Sequence, residues 1–223
     1  EIADATTTVY TDTVITGWDR KGNAIKETYT DPNDVTQAYA IGKAYDGGQF
    51  AELNCQAYGA LYQDVLTVPG ATLNWSLAHA GRDGTDTMAL LIAPVDVAQD
   101  ITGALKNKTT RAAIQEALNG SITMNGVNVP IRNYIVDGNI SDGCTAWGVH
   151  NGTYKVPTGQ YVSRFFFVAV ASASGDSEEG LKRGNLIDRV WFSTDPVPPA
   201  AGSGILRVTK TLLKTDGTAL TDA

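Results

Sequence analysis

The stretch Ala71-Thr-Leu-Asn-Trp-Ser-Leu-Ala-His-Ala80 decides the fold. Leu73, Trp75 and Leu77 alternate with Thr72, Asn74 and Ser76, a period of two that belongs to a strand with one buried face. His79 continues the face of Trp75 and Leu77, so it is expected to point inward, as a satisfied core histidine more readily than a catalytic one. On either side the same texture recurs. Met88 to Ala93 and Val162 to Ala171 are near-continuous apolar runs of buried-strand length. From Ile187 to Ser193 the alternation returns, with Leu186, Val190 and Phe192 predicted to share one face. Met124-Asn-Gly-Val127 sets Asn-Gly between two strand-like runs, the signature of a type I′ hairpin. Only Thr109 to Asn119 departs from this. Ile114, Ala117 and Leu118 lie at helical spacing there, Thr109 or Thr110 is available as N-cap, and Gly120 follows the last turn. The reading is an all-β, antiparallel sandwich with one inserted short helix packed on it.

Composition narrows the function. Charged residues make up 18% of the 223 and hydrophobic residues 43%. The charged share is below the roughly 25% of an average soluble domain, so neutral polar Thr, Asn, Ser, Gly and Gln must cover the surface, as they do in many extracellular β-proteins. A net charge of −7 and a pI near 4.7 argue against a nucleic-acid partner and against an anionic membrane surface. No apolar stretch reaches the 18 residues that would suggest a membrane helix. Serine-nucleophile, metalloprotease and phosphate-loop motifs are missing, and two histidines leave little scope for acid–base work. Glu52, Asp64, Asp86 and Asp188 could supply a glycosidase pair, but no spacing singles one out. The sequence therefore reads as non-enzymatic.

The chain is expected to divide into a binding domain over 1–194, a Pro/Gly linker over 195–204 and the first strand of a following domain, or a docked tail, over 205–223. The first 48 residues are polar and loop-rich, with Trp18 as their anchor, and long irregular stretches of this kind often shape a binding face. A monomeric module in a longer surface protein is the organisation expected.

Three groups of residues are candidates for chemistry. Arg82, Asp83 and Asp86 lie in the polar loop Ala80-Gly-Arg-Asp-Gly-Thr-Asp-Thr87, which reads either as a turn, with Gly81 and Gly84 at positive φ and aspartates capping backbone groups, or as a ligand-binding loop. Trp147, His150 and Tyr154 fall in a loop-like run where exposed aromatics would stack on sugar rings or anchor a protein partner; the alternative is a plug at one end of the sandwich. Cys55 and Cys144 are either one disulfide or two buried thiols.

The motifs Gln49-Phe-Ala-Glu-Leu-Asn54, Leu61-Tyr-Gln-Asp-Val65, Pro69-Gly70, Trp75-Ser-Leu-Ala-His79, Gly81-Arg-Asp-Gly84, Asp86-Thr-Met88 and Gly184-Asn-Leu-Ile-Asp-Arg-Val-Trp-Phe192 run in order through most of the chain. Together they resemble the jelly-roll, galactose-binding-like module of large Gram-positive cell-wall-anchored adhesins. Leu206-Arg-Val-Thr-Lys-Thr211 looks like the first strand of the immunoglobulin-like stalk repeats of such proteins; Lys210 receives no isopeptide role, because its partner would lie beyond Ala223. Two positions depart from the family pattern. His79-Ala-Gly-Arg82 lacks a basic residue directly after the histidine, and Cys55 stands where small apolar residues are common. Cys55-Gln56 also lacks the aromatic neighbour and the distant glutamine of the adhesins that form thioesters.

The resemblance implies an extracellular, cell-wall-attached adhesin domain that binds a host or environmental glycan or glycoprotein, with mucins, matrix proteins and immunoglobulins as examples. A stalk or pilus spacer without a ligand, and a carbohydrate-binding module of a secreted glycanase, are the alternatives. It also implies structural calcium, since similar lectin modules hold Ca²⁺ with an Asp on the last strand and an earlier Glu, here Asp188 and Glu52. The other reading places Asp188 in an ion pair, with Arg82 or another cation, or in a hydrogen-bond network.

Overall fold

The computed structural model describes residues 27–28, 41, 44–46, 49–54, 57–178 and 180–194; Trp18, Cys55, the expected linker and the expected tail lie outside them. Eleven strands are described: β1 (Glu27–Thr28), β2 (Gln49–Glu52), β3 (Ala60–Leu66), β4 (Thr72–Ala80), β5 (Asp86–Pro94), β6 (Ser121–Met124), β7 (Val127–Pro130), β8 (Ile135–Asp142), β9 (Gly148–Lys155), β10 (Val162–Ala171) and β11 (Leu186–Ser193). Helices α1 (Val95–Leu105) and α2 (Arg111–Asn119) follow β5. One sheet has the order β1-β2-β11-β4-β9 and the other β3-β10-β5-β8, with every pairing antiparallel. This is the expected jelly-roll sandwich.

The alternation of β4 works as read: Trp75 and Leu77 are buried in the core between the sheets. From the other sheet Phe165 and Phe167 meet Phe192 of β11, with ring centroids 3.9 and 6.3 Å apart. The apolar continuity of β5 and β10 has a geometric cause. They are the two central strands of the four-stranded sheet, with one face against the opposite sheet and the other under the helices. On that helix side Arg164 grips Asp64 through two hydrogen bonds of 2.6 and 2.8 Å, lies 4.0 Å over the ring of Tyr62, and donates to Thr102 Oγ1 of α1 at 3.0 Å.

The helical insert is larger than the sequence reading has it. The expected helix is α2: Thr110 Oγ1 accepts from the amide of Ala113 at 3.3 Å and Gly120 closes the last turn. A second helix, α1, precedes it. Val97, Ala98, Ile101 and Leu105 form its buried stripe. Its residues include Val95, Val97, Ile101, Thr102 and Gly103, all modest or poor helix formers, and burial of the stripe overrides that preference. The β6–β7 hairpin turns on Asn125 (φ 49°) and Gly126 (φ 78°), the two left-handed residues that a type I′ turn requires.

In β11 the expected single face is corrected. Leu186, Ile187 and Asp188 oppose Ala80, His79 and Ala78 of β4, after which the register shifts and Trp191 opposes Ser76. Arg189 (φ 44°) sits in this bulge, and a bulge turns the following side chains to the other face. Val190 and Phe192 therefore pack in the inter-sheet core, whereas Leu186 lies on the outer face of the sheet with Ile41, Ala44, Phe50 and Ala80. Asp188 shares the Leu186 face. It is fully buried, but outside the sandwich core.

Candidate functional site

The loop that joins β4 to β5 is held by carboxylates. Asp86 is buried, and its oxygens accept from the amides of Arg82 (2.9 Å), Asn185 (2.8 Å) and Ala173 (2.7 Å). Asp86 thus ties three separate segments together and presents no surface to a ligand. Asp83 is exposed and accepts from Ser174 Oγ at 2.8 Å. Gly81 and Gly84 do not adopt the positive φ expected of them. They are small for steric reasons: a Cβ on Gly81 would overlap the carbonyl of Gly84, and one on Gly84 would lie 2.6 Å from the Cβ of Ala173.

Arg82 turns back over the sheet. Its Nη1 lies 2.7 Å from each carboxylate oxygen of Glu52, whose Oε1 also accepts from the amide of Gly184 at 2.9 Å. The cation that Arg82 supplies therefore goes to Glu52 and not to Asp188. Asp188 Oδ2 accepts from the amides of Tyr45 (2.8 Å) and Asp46 (3.0 Å), and its Oδ1 from that of Arg189 (2.6 Å). Burial raises the Asp188 carboxyl above its ordinary range, against the lowering effect of these amides. A calcium ion at Glu52 or Asp188 would have to share oxygens that already accept these hydrogen bonds.

Trp147 is half-buried and packs edge-on against Phe50 and Tyr45, with centroids 5.7 and 6.4 Å away. It completes the small apolar cluster on the outer face of the five-stranded sheet. Tyr154 and His150 lie on β9 opposite Leu73 and Leu77, so both face between the sheets. Tyr154 donates to Gln160 Oε1 at 3.1 Å, and burial raises its hydroxyl pKa. Cys144 is a free, half-buried thiol in the β8–β9 turn, and Cys55, the other cysteine of the disulfide reading, lies outside the described residues.

His79, His150 and a residue the sequence reading passes over, Asp142, converge. Asp142 Oδ2 lies 2.8 Å from His79 Nδ1 and 2.7 Å from His150 Nε2. Burial works against ionising this carboxylate, but the two imidazole hydrogen bonds outweigh it and hold Asp142 below the ordinary carboxylate range. The other ring nitrogen of His79, Nε2, lies 3.1 Å from Asn185 Oδ1. Asn185 Nδ2 donates in turn to Asn54 Oδ1 and to the carbonyl of Ala171, both at 3.0 Å. The expected satisfied core histidine is thus the centre of a polar chain that joins the two sheets.

A second surface feature emerges from the register. On the outer face of the five-stranded sheet, Trp191, Ser76 and Asn151 stand side by side across β11, β4 and β9, with Ser193, Asn74 and Thr153 in the next row. Trp191 is half-buried, Ser76 is buried, and Asn151 and Thr153 are exposed. Neighbours in such a row have Cβ atoms about 5 Å apart, so the array brings an indole together with amide and hydroxyl groups on one face of the sheet.

No protein-family model matches the sequence, and no curated protein matches it. Among solved structures the chain is similar to a family 35 carbohydrate-binding module from Clostridium thermocellum (12% identity, TM-score 0.38, covering 84% of this chain and 98% of that one). It is also similar to a family 35 module in complex with a glucuronic acid-containing disaccharide (12%, 0.38, 90% and 96%) and to the xylan-binding family 22 domain of Paenibacillus barcinonensis Xyn10C (11%, 0.39, 68% and 76%). These are loose superpositions, and the fold assignment rests on the strand order and register described above.

Proposed function

We propose that this chain is a non-catalytic, extracellular binding domain of a Gram-positive cell-surface protein, and that it recognises a glycan or the glycan of a glycoprotein. The row Trp191–Ser76–Asn151 on an outer sheet face carries this reading. Sugars offer an apolar C–H face and a rim of hydroxyls, and an indole beside amide and hydroxyl groups complements both. The sequence supports the non-catalytic half of the proposal, since it lacks serine-nucleophile, metalloprotease and phosphate-loop motifs. The low-charge, Thr- and Asn-rich surface composition fits an exported module, and attachment to a host or to environmental polysaccharide would be its task.

A glycan array, followed by titration of the best hit, tests this. Trp191→Ala and Asn151→Ala should each weaken binding at least about tenfold, the effect of losing roughly 1.4 kcal/mol, with little change in melting temperature. A negative result across the array and against mucins, matrix proteins and immunoglobulins would overturn the proposal in favour of a ligand-free spacer.

A further inference from the structure

The chain has two histidines, 79 and 150, and the fold delivers both to one carboxylate oxygen. His79 comes from β4, His150 from the neighbouring strand β9 and Asp142 from β8 of the opposite sheet. One ligand-type atom from each side chain lies within 4.8 Å of the others. Room for this convergence is made by Gly148, which pairs with His79: a Cβ there would overlap the Asp142 carboxylate.

The hydrogen-bond pattern fixes where the protons are. The carbonyl of Ala171 accepts only, so the Asn185 atom facing it is the amide nitrogen, and Asn185 Oδ1 is the atom facing His79. His79 Nε2 must then carry a proton to donate to Oδ1. In the neutral imidazole that leaves a lone pair on Nδ1, aimed at an oxygen of Asp142 2.8 Å away. Two lone pairs do not face one another at that distance without a positive charge between them. What lies between them is either a proton, carried by His79 or by Asp142, or a metal ion.

We propose that His79 Nδ1, the Asp142 carboxylate and His150 Nε2 form a binding site for a borderline divalent transition-metal ion, with Zn²⁺ as its representative. Two imidazoles and one carboxylate match that class and not calcium, which takes oxygen donors. Asn185 Oδ1, accepting from the distal N–H of His79, is the outer-shell partner that orients a metal-bound histidine and sets its tautomer. Ligand atoms around a tetrahedral zinc ion stand roughly 3.3 Å apart, as follows from bonds of about 2.0–2.1 Å. The Asp142 contacts would therefore open by about half an ångström, and the two imidazole nitrogens, within 4.8 Å of each other, would close by up to about 1.5 Å to admit it. The His79 side chain is sealed, whereas Asp142 and His150 are 16% and 25% exposed, which leaves entry, and a fourth coordination position, on the His150 side. The site lies between the sheets and the glycan proposal concerns the outer face, so the two are independent.

The full chain, stripped with a chelator and dialysed, should take up one Zn²⁺ per molecule by calorimetry, and its melting temperature should rise with the metal. His150→Ala and Asp142→Asn should each lower the affinity by more than the about 10–100-fold that loss of an outer-shell partner costs. His150 is partly exposed on β9, so its replacement is the variant expected to stay folded. Nitrogen-detected NMR of the His79 ring gives a second readout: in metal-free protein Nδ1 should change shift on adding Zn²⁺. Absence of stoichiometric uptake, uptake that His150→Ala leaves unchanged, or a His79 ring protonated on both nitrogens and indifferent to Zn²⁺ would each overturn the proposal. The last result would put a proton where the metal is placed here.

Discussion

Gly152 of β9 stands opposite Trp75 of β4, and the indole occupies the space that a side chain at 152 would need. A Cβ on Gly152 would come within 2.8 Å of the Trp75 ring and 3.0 Å of its Nε1. Trp75 is 3% exposed and hemmed in by both sheets, so it has nowhere to retreat. Gly152→Ala should destabilise the domain by about 1–3 kcal/mol through overpacking, read as a lower midpoint in urea with little change in slope. An unchanged midpoint would show that β9 can move outward as an edge strand.

Arg82 and Glu52 form a pair whose carboxylate side chain is fully buried and whose guanidinium side chain is 11% exposed. Removing one member leaves a buried charge without its counterpart, at a cost of about 3–5 kcal/mol. Arg82→Met and Glu52→Gln should therefore each destabilise strongly, and the double variant should recover much of the loss. Purely additive losses in that double-mutant cycle would refute the coupling.

How much of this was legible follows from where each signal resides. The β4 alternation, the apolar runs of β5 and β10, the Asn125-Gly126 turn and the Thr110 cap are local patterns, and each appears in the structure as read. Helix α1 shows a buried stripe at 97, 98, 101 and 105, but its β-branched residues and Gly103 blur the pattern. The bulge at Arg189 has no compositional mark, since arginine seldom occupies positive φ, and it sets Val190 and Phe192 on the face opposite to Asp188. Asp142 was invisible for a different reason. It meets His79 only because β8 pairs with β5 in one sheet and β4 with β9 in the other, a tertiary fact. Gly148, six residues after Asp142 across a tight turn, was the one available hint.

Asp188 gives a pH prediction with a definite sign. Its carboxyl is raised above the ordinary value of 3.8, with burial the largest cause. A carboxyl raised in the folded state binds its proton more tightly there than in the unfolded chain. Its contribution to stability is therefore fully present below the unfolded pKa and is lost as pH rises through the folded one. Asp188→Asn removes that term. The stability of the native protein minus that of the variant should fall from a plateau at acid pH, beginning near 3.8, to a lower plateau towards neutrality. The difference is the informative quantity, because other carboxylates titrate in both proteins. A flat difference would mean that the amides of Tyr45, Asp46 and Arg189 offset the burial completely.

The two outer-face tryptophans should separate stability from recognition. Trp147 touches Phe50 and Tyr45 and closes the cluster of Ile41, Ala44, Ala80 and Leu186. Its truncation should cost about 2–4 kcal/mol, below the about 3–5 of a fully buried tryptophan because the ring is half-exposed, and should lower the melting temperature. Trp191 lies beside Ser76 with Asn151 beyond, on the surface proposed for the glycan. Trp191→Ala should leave the melting temperature within a few degrees of the native value and abolish most binding to the best array hit. Trp147→Ala, assayed well below its own melting point, should bind nearly as the native protein does. If the two swapped roles, the binding face would centre on Trp147, as the sequence reading has it, and the outer-face row would be only a sheet surface.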